Sequence, residues 1–318
     1  MGEINVAILD DYQNAALKLA DWALLETHAN VTVFNDHLAD QAELIAQLQP
    51  FDILCVMRER TPLPRTIIEQ LPRLKLIAST GRRNASIDAA AAAERGIEVM
   101  HTGYDSSATI ELTWALILAS ARHLVEESQS VRKGRWQHRL GDGLKGKTLG
   151  ILGLGNIGSE MAHIARAFGM EVIAWSQNLT EDKATTAGAR LISKDELFRQ
   201  ADIVTIHLVL SERTRHLVGA AELGLMKPSA RLVNTSRGPI VNEAALIEAL
   251  QTGRIAGAAI DVYDIEPLPA DHPFRSLENV LATPHMGYVS REAYKTFYGD
   301  TVKNILSWLD QHQTIVSA

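Results

Sequence analysis

The chain has 318 residues, enough for two domains of ordinary size, with 46% hydrophobic and 22% charged residues and a formal net charge of −7. The negative balance leaves no basic footprint for nucleic acid. No apolar run has the length of a membrane span; the nearest, Leu112 to Ala121, is short and contains Thr113 and Ser120. The single cysteine, Cys55, excludes an internal disulfide framework, and its apolar setting reads as a buried, inert thiol. The N-terminus, with Glu3 and Asp10 and no basic-led apolar core, reads as lacking a signal peptide. These features predict a cytoplasmic protein with neither nucleic acid nor membrane as partner.

In chain order, Ile4 to Leu9 reads as a strand ending in Asp10-Asp11, followed by a helix through Trp22 to about Thr27. Val31 to Phe34 is a strand, Ala39 to Leu48 a helix and Asp52 to Met57 a third strand, from whose end Arg58-Glu59-Arg60-Thr61 departs. Leu74 to Ala78 is a fourth strand, leading into Ser79-Thr80-Gly81-Arg82-Arg83-Asn84. Ile87 to Arg95 is helical, and Ile97 to Met100 is a fifth strand. Such alternation predicts a parallel sheet covered on both faces, with ligands at the carboxyl ends of its strands. Arg58, Arg60, Arg82 and Arg83 then become candidates for an anion-binding mouth. Asp105 to about Lys133 reads as one long helix, apolar nearly all round from Leu112 to Leu118, which predicts burial between domains or against another subunit. Gly134 to Gly146 is the clearest loop, with Trp136 as its expected anchor.

A second doubly wound unit begins at Lys147. Its strands are expected at Lys147 to Leu152, Val172 to Trp175, Ile203 to Leu208, Arg231 to Thr235, Gly257 to Val262 and Val280 to Ala282. Helices fall at Ser159 to Gly169, Lys194 to Gln200, Ala220 to Met226 and Glu243 to Gln251, and a last helix runs from Ser290 to about Gln311. Between the first strand and its helix stands Gly153-Leu154-Gly155-Asn156-Ile157-Gly158. In that context Gly-x-Gly-x-x-Gly is a dinucleotide fingerprint. Gly153 permits a tight turn, Gly155 admits the pyrophosphate, and Gly158 lets helix and strand pack closely. The free N–H groups of the helix start then hold the phosphates.

Arg237, Glu266 and His285 each follow a different strand of this second sheet, so the three converge on one rim. A guanidinium binds a small carboxylate by a bidentate pair. A histidine held by a glutamate has a fixed tautomer and suits a general acid near neutrality. Beside a dinucleotide, the trio suggests hydride transfer to an acid carrying a carbonyl. His207, in a strand, reads as structural or as part of the cofactor pocket wall. The other histidines show no metal-ligand spacing, and neither Gly-x-Ser-x-Gly nor a Walker pattern is present.

The sequence resembles the D-isomer-specific 2-hydroxyacid dehydrogenases over essentially its whole length. The motifs that carry the resemblance are Gly153 to Gly158, Asn234 to Gly238, Asp261 to Leu268 and Thr283 to Gly287. It implies an α/β architecture of two doubly wound parallel-sheet domains. A Rossmann cofactor domain, 102–285, is inserted into a flavodoxin-like substrate domain, 1–101 plus 286–318, with the active site in the cleft and the long helix helping to build a homodimer. It implies that Arg237 binds the substrate carboxylate and carbonyl, that His285 protonates the carbonyl oxygen, and that Glu266 orients His285. Asp261 looks like the family residue that contacts the nicotinamide amide. Cofactor contacts are expected from Gly153, Gly155, Asn156, Ile157, Gly158, Ser176, Gln177, Asn178, His207 and Asp261. Substrate contacts are expected from Arg58, Gly81, Arg82, Arg83 and Arg237, and no metal is expected.

The chain departs from the family pattern in three places, the third of them, at Asn242, without evident consequence for chemistry. Many relatives carry an acidic residue at the end of the second cofactor-domain strand, whereas here Trp175 runs into Ser176-Gln177-Asn178. Without that charge a 2′-phosphate is not repelled, so NAD(P) is expected, with the balance toward NADP. Where relatives often have Gly-x-Gly in the carboxylate-binding loop, this chain has Gly81-Arg82-Arg83, and Asn242 stands where Asp is common. Glu266 argues against the formate dehydrogenases of the superfamily, which pair the histidine with Gln. No extra C-terminal regulatory domain is read. The expected reaction is reduction of a small 2-keto acid of the hydroxypyruvate or glyoxylate type. The competing reading is a dinucleotide-sensing protein like the corepressors of the superfamily, although these normally carry added partner-binding tails, and none is read in this sequence.

Overall fold

The computed structural model describes residues 4–314. It divides into two compact units, one formed by the described residues through Asp105 and from Val289 onward, the other Ser106–Tyr288. The first unit is built on a parallel sheet of β1 (Ile4–Ile8), β2 (Ala29–Val33), β3 (Ile53–Val56), β4 (Leu76–Ser79) and β5 (Glu98–His101), in the order β2-β1-β3-β4-β5. Strands β3 and β4 are buried at every position, as continuous apolar runs in a sheet covered on both faces must be. Strand order reverses between β1 and β3, the switch point at which such sheets bind ligands. The helix Arg291–Thr314 returns to this unit, burying Phe297, Tyr298, Val302, Ile305 and Trp308.

The second unit has a parallel sheet of β6 (Thr148–Leu152), β7 (Glu171–Trp175), β8 (Arg190–Leu191), β9 (Ile203–Ile206), β10 (Arg231–Asn234), β11 (Gly257–Ile260) and β12 (Val280–Ala282). Its order is β12-β11-β10-β9-β6-β7-β8, with the switch point between β6 and β9. The chain is thus two doubly wound α/β units, with the second inserted into the first.

Asp52 and Asp202 solve the same problem in the two units. Each precedes a central strand and accepts the N–H of a residue in the neighbouring first strand: Asn5 at 3.1 Å and Thr148 at 2.8 Å. Arg73 and Lys75 flank Asp52, and Lys227 flanks Asp202. With the N–H donors, these cations hold both carboxyls below the usual range despite burial.

Three expectations are corrected. The stretch from Asp105 to Lys133 is two helices, Ser107–Arg122 and Leu124–Arg132. They are broken at His123, whose left-handed backbone (φ 50°) ends the first and re-aims the second. The first helix buries Ile110, Thr113, Trp114, Ile117 and Ala121 in the core of its own unit, beside Leu149, Met161 and Val233, which accounts for its apolar character. Trp136 is no anchor: it is 78% exposed, in a segment from Val131 to Leu140 where every residue is exposed. The helix expected through Trp22 is a short turn, Ala16–Leu19, followed by a 3-10 segment, Trp22–Leu25. Four further elements, the helices Arg65–Ile68 and Glu181–Thr186, the two-residue β8 and a 3-10 turn at Gly238–Ile240, carry too little periodicity to read in advance.

Candidate active site

The glycine turn leaves β6 at the switch point of the second unit. Gly153 has φ 97°, and a Cβ there would lie 2.6 Å from the His207 carbonyl oxygen. At Gly158 a Cβ would lie 2.1 Å from the Gly153 carbonyl oxygen. These two glycines are demanded by the protein's own packing. Gly155 is not: a Cβ built there meets nothing within 4 Å. It caps the helix Asn156–Ala167, with Gly155, Asn156 and Ile157 at least partly exposed at its start. A bare backbone beside open space at a helix N-terminus fits the pyrophosphate of a dinucleotide. Ser176 is half-buried, and Gln177 and Asn178 are exposed, after β7.

His207 follows β9, and its N–H donates to the Leu152 carbonyl at 2.7 Å, so it stands across the switch point from the glycine turn. Its ring shares a hydrogen bond of 2.9 Å with Thr205 Oγ1. Loss of hydration lowers its pKa to about 3, so the imidazole is neutral.

Arg237 leaves β10 in a turn organised by the buried Asn234, which accepts from the Ser236 N–H at 3.1 Å and donates to the Arg237 carbonyl at 3.0 Å. The Ser236 hydroxyl donates to the Leu208 carbonyl, and Arg237 Nη1 to the Ser236 carbonyl at 2.7 Å. Gly238 presses on the loop after β11: its Cβ would lie 2.1 Å from the carbonyl carbon of Tyr263. That same Tyr263 donates its N–H to Glu266 Oε1 at 2.9 Å, and its hydroxyl to the Thr283 carbonyl at 2.7 Å. One buried tyrosine therefore touches the loops that carry Arg237, Glu266 and His285.

Glu266 and His285 meet: His285 Nδ1 lies 2.5 Å from Glu266 Oε2. An ionised carboxylate only accepts, so against it Nδ1 carries the proton and Nε2 is the nitrogen left for chemistry. His285 has φ 49°, the left-handed region, in the turn after β12. Asp261, 1% exposed, fills the inside of that turn. It accepts from Thr283 Oγ1 at 2.6 Å, Met286 N–H at 2.9 Å and Gly287 N–H at 2.9 Å, so both oxygens are engaged within the protein. Burial nevertheless raises its pKa, while these donors oppose the rise. The structure brings Glu266 against His285, whereas the supports that Asp261 and Tyr263 give to these loops were not read from the sequence. Gly238 after Arg237 and Thr283 before Pro284 were the available signals.

In the first unit the four arginines divide. Arg60 is occupied: its guanidinium donates to the Asp10 carbonyl at 2.6 Å and the Tyr294 hydroxyl at 3.0 Å, and lies over Tyr12. Arg58, with φ 53°, donates to the Thr80 carbonyl at 3.2 Å and lies 5.3 Å from the Tyr104 ring centroid. It occupies the space a side chain at Gly81 would need, 1.8 Å from the ideal Cβ position. Arg82 and Arg83 are exposed.

A Rossmann-type unit with an open glycine turn and a Glu-paired histidine on its rim defines a nucleotide-dependent dehydrogenase. Residues 114–287 match the model of the NAD-binding domain of the D-isomer-specific 2-hydroxyacid dehydrogenases. The chain is 45% identical to a glyoxylate reductase of Aeropyrum pernix, over 71% of this chain and 70% of that one. It is 37% identical to a hydroxypyruvate reductase of Thermotoga maritima, over 90% and 94% respectively. A crystal structure titled phosphoglycerate oxidoreductase from Vibrio cholerae superposes with a TM-score of 0.93 at 38% identity, covering 97% of this chain and 99% of that one. The chain spans about half the length of the D-3-phosphoglycerate dehydrogenases it matches. It belongs to the D-isomer-specific 2-hydroxyacid dehydrogenase family, whose cofactor is a nicotinamide dinucleotide.

Proposed function

We propose that this protein reduces a small 2-keto acid of the glyoxylate or hydroxypyruvate type to the D-2-hydroxy acid. The observation that carries the reading is the 2.5 Å pairing of His285 Nδ1 with Glu266 Oε2 on the rim of the dinucleotide unit. Relatives named glyoxylate and hydroxypyruvate reductase support the substrate class. Gly153, Gly155 and Gly158, with the helix start at Asn156 and Ile157, would hold the dinucleotide pyrophosphate; Ser176, Gln177 and Asn178 would hold the adenosine ribose and His207 would line the pocket. When bound, the reduced nicotinamide supplies a hydride. Arg237 binds the substrate carboxylate bidentately and orients the carbonyl. His285, protonated on both ring nitrogens for reduction, gives its Nε2 proton to the carbonyl oxygen and is left as the neutral Nδ1–H form, while Glu266, accepting from Nδ1–H, holds the ring in orientation. The 102–285 region acts as the cofactor domain and the remainder as the substrate domain.

NADPH serves at least as well as NADH, because Ser176, Gln177 and Asn178 offer hydrogen-bonding groups and no carboxylate where a 2′-phosphate would lie. The protein works as a homodimer, a reading supported by the exposed apolar side chains Leu124, Val125, Val131, Trp136 and Leu140 concentrated in one stretch of the second unit.

The test is initial-rate kinetics against glyoxylate, hydroxypyruvate, pyruvate and phenylpyruvate, each with NADH and with NADPH. Turnover of one acid that disappears in His285→Ala, with dinucleotide binding retained, supports the enzyme. Dinucleotide binding with no turnover of any acid points to the sensing protein instead, and a lower KM for NADH than for NADPH refutes the cofactor preference.

A further inference from the structure

Glu266 sits on irregular backbone between β11 and the 3-10 turn Pro273–Arg275, and its side chain is 34% exposed. No ladder or helix holds that stretch, so its carboxylate stays on His285 only as firmly as the loop is tied to the rest of the unit. Tyr263 supplies one tie, through its N–H to Glu266 Oε1. Arg275 supplies another, reaching back to the Leu268 and Pro269 carbonyls at 2.7 Å each. The third is Glu243, the first residue of the helix Glu243–Gln251. Its Oε2 accepts the Asp264 N–H at 3.3 Å, and its Oε1 lies 3.0 Å from His272 Nε2. His272 Nδ1 accepts the Phe274 N–H at 3.2 Å, so the ring proton is on Nε2 and is donated to Glu243. The same ring rests on the buried Phe274, with centroids 4.9 Å apart. One carboxylate therefore holds the loop on both sides of Glu266, at Asp264 before it and at His272 after it.

An acid in the first turn of a helix is favoured by the helix dipole alone. That does not account for both oxygens of Glu243 being turned onto the loop. The helix beneath is a firm base for them, capped by Asn242 and buried through Leu246, Ala249 and Leu250. We propose that Glu243, acting with His272, is a positioning residue for the Glu266–His285 pair. It touches neither His285 nor a reacting atom; it fixes the loop from which Glu266 reaches His285. This rests on the keto-acid reductase reading above and adds a residue to that site. The position calls for a carboxylate because two donors converge on it, whereas an amide would accept from one and turn an NH₂ on the other.

The experiment uses the full chain as wild type, Glu243→Ala, Glu243→Gln, Glu266→Ala and the Glu243→Ala/Glu266→Ala double variant. Kinetics are measured with whichever of glyoxylate, hydroxypyruvate, pyruvate and phenylpyruvate the wild type reduces. Glu243→Ala should lower kcat about tenfold and leave the keto-acid KM within about twofold, as when a proton donor is misplaced. Glu243→Gln, which keeps one of the two bonds, should fall between, and it carries the same tests if the alanine variant does not fold. In the Glu266→Ala background, Glu243→Ala should cost nothing further, because the carboxylate it acts through is already gone. A merely structural role would instead lower the melting temperature and reduce kcat by the same factor in both backgrounds. A second readout needs no turnover. The proton on His285 Nδ1, held against Glu266, gives a downfield resonance in histidine-labelled protein, assigned by its loss in His285→Ala. That resonance should disappear in Glu243→Ala. Full kcat in Glu243→Ala, an equal loss in both backgrounds or a retained resonance overturns the proposal and leaves the reductase reading intact. A wild type that binds dinucleotide but turns over none of the acids removes the reductase reading, and the resonance alone then decides whether Glu243 positions the pair.

Discussion

The Gly287 N–H points at the carboxylate of Asp261, 2.9 Å from Oδ2, and the Met286 N–H takes the other oxygen. A turn that carries a residue at φ 49° has no regular structure to hold it, so the buried carboxylate supplies what a ladder would. Asp261 therefore fixes the backbone on which His285 rides.

Asp261→Asn keeps the shape but converts one acceptor into an NH₂ that faces a backbone N–H. The lost bond and the clash of donors should cost about 1–3 kcal/mol at the turn. We expect kcat to fall about tenfold or more with KM changed far less, since the proposed proton donor is displaced and the arginine proposed to bind the carboxylate is not. Steady-state kinetics on a variant shown to be folded by circular dichroism decides this; a pure KM effect would assign Asp261 to binding instead.

The three motif glycines separate stability from binding. Gly158→Ala places a methyl 2.1 Å from a carbonyl oxygen and should lower the melting temperature markedly as well as abolish dinucleotide binding. Gly155→Ala meets nothing within 4 Å, and its backbone (φ −87°) suits alanine, so the fold should keep its stability within about 1 kcal/mol. Binding should still suffer, because the methyl would stand where the pyrophosphate is proposed to approach. Thermal melts with and without dinucleotide test both: Gly155→Ala should melt like the wild type alone but lose the shift on adding NADPH.

Much of this was legible in advance for a physical reason. Ile53-Leu54-Cys55-Val56 and Ile203-Val204-Thr205-Ile206 are buried throughout, and buried parallel strands read as short unbroken apolar runs. Gly153 and Gly158 announced themselves because no other residue fits. Residues 19 apart, such as Glu266 and His285, show no pairing by spacing; only their positions after adjacent strands suggested it. The break at His123 depends on one left-handed residue inside a run with helical composition, so local propensity hid it. Asn242, which stands where Asp is common, is the N-cap of Glu243–Gln251, accepting from the Ala245 N–H at 2.9 Å, a task that Asn and Asp perform equally well.

His207 makes a prediction about pH. Its folded pKa of about 3 lies below the ordinary 6.5, so between these values the unfolded chain binds a proton that the folded chain does not. Stability from this site is then fully present above about pH 6.5 and declines as pH falls toward 3. Going from pH 7.5 to 5 should cost the wild type about 2 kcal/mol relative to His207→Asn, which has no proton to gain. Denaturant melts at the two pH values measure the difference. Equal pH sensitivity in both proteins would show that His207 titrates normally in the fold.

The segment from Val131 to Leu140 is exposed at every residue, yet it contains Val131, Trp136 at 78% and Leu140 at 95% exposure, with Leu124 and Val125 on the helix before it. Apolar side chains so arranged are costly in water unless another surface covers them, and a second copy of the chain is the partner proposed above. Covering Trp136 fully would contribute on the order of 2 kcal/mol or more, and large exposed aromatics are the side chains that dominate protein contacts. Trp136→Ala with Leu140→Asp should therefore shift the protein from dimer to monomer at micromolar concentration, as read by sedimentation velocity. The second unit's core involves neither residue, so NADPH binding by the variant should persist. A wild type that sediments as a monomer at all concentrations would remove the dimer and leave these side chains to some other partner.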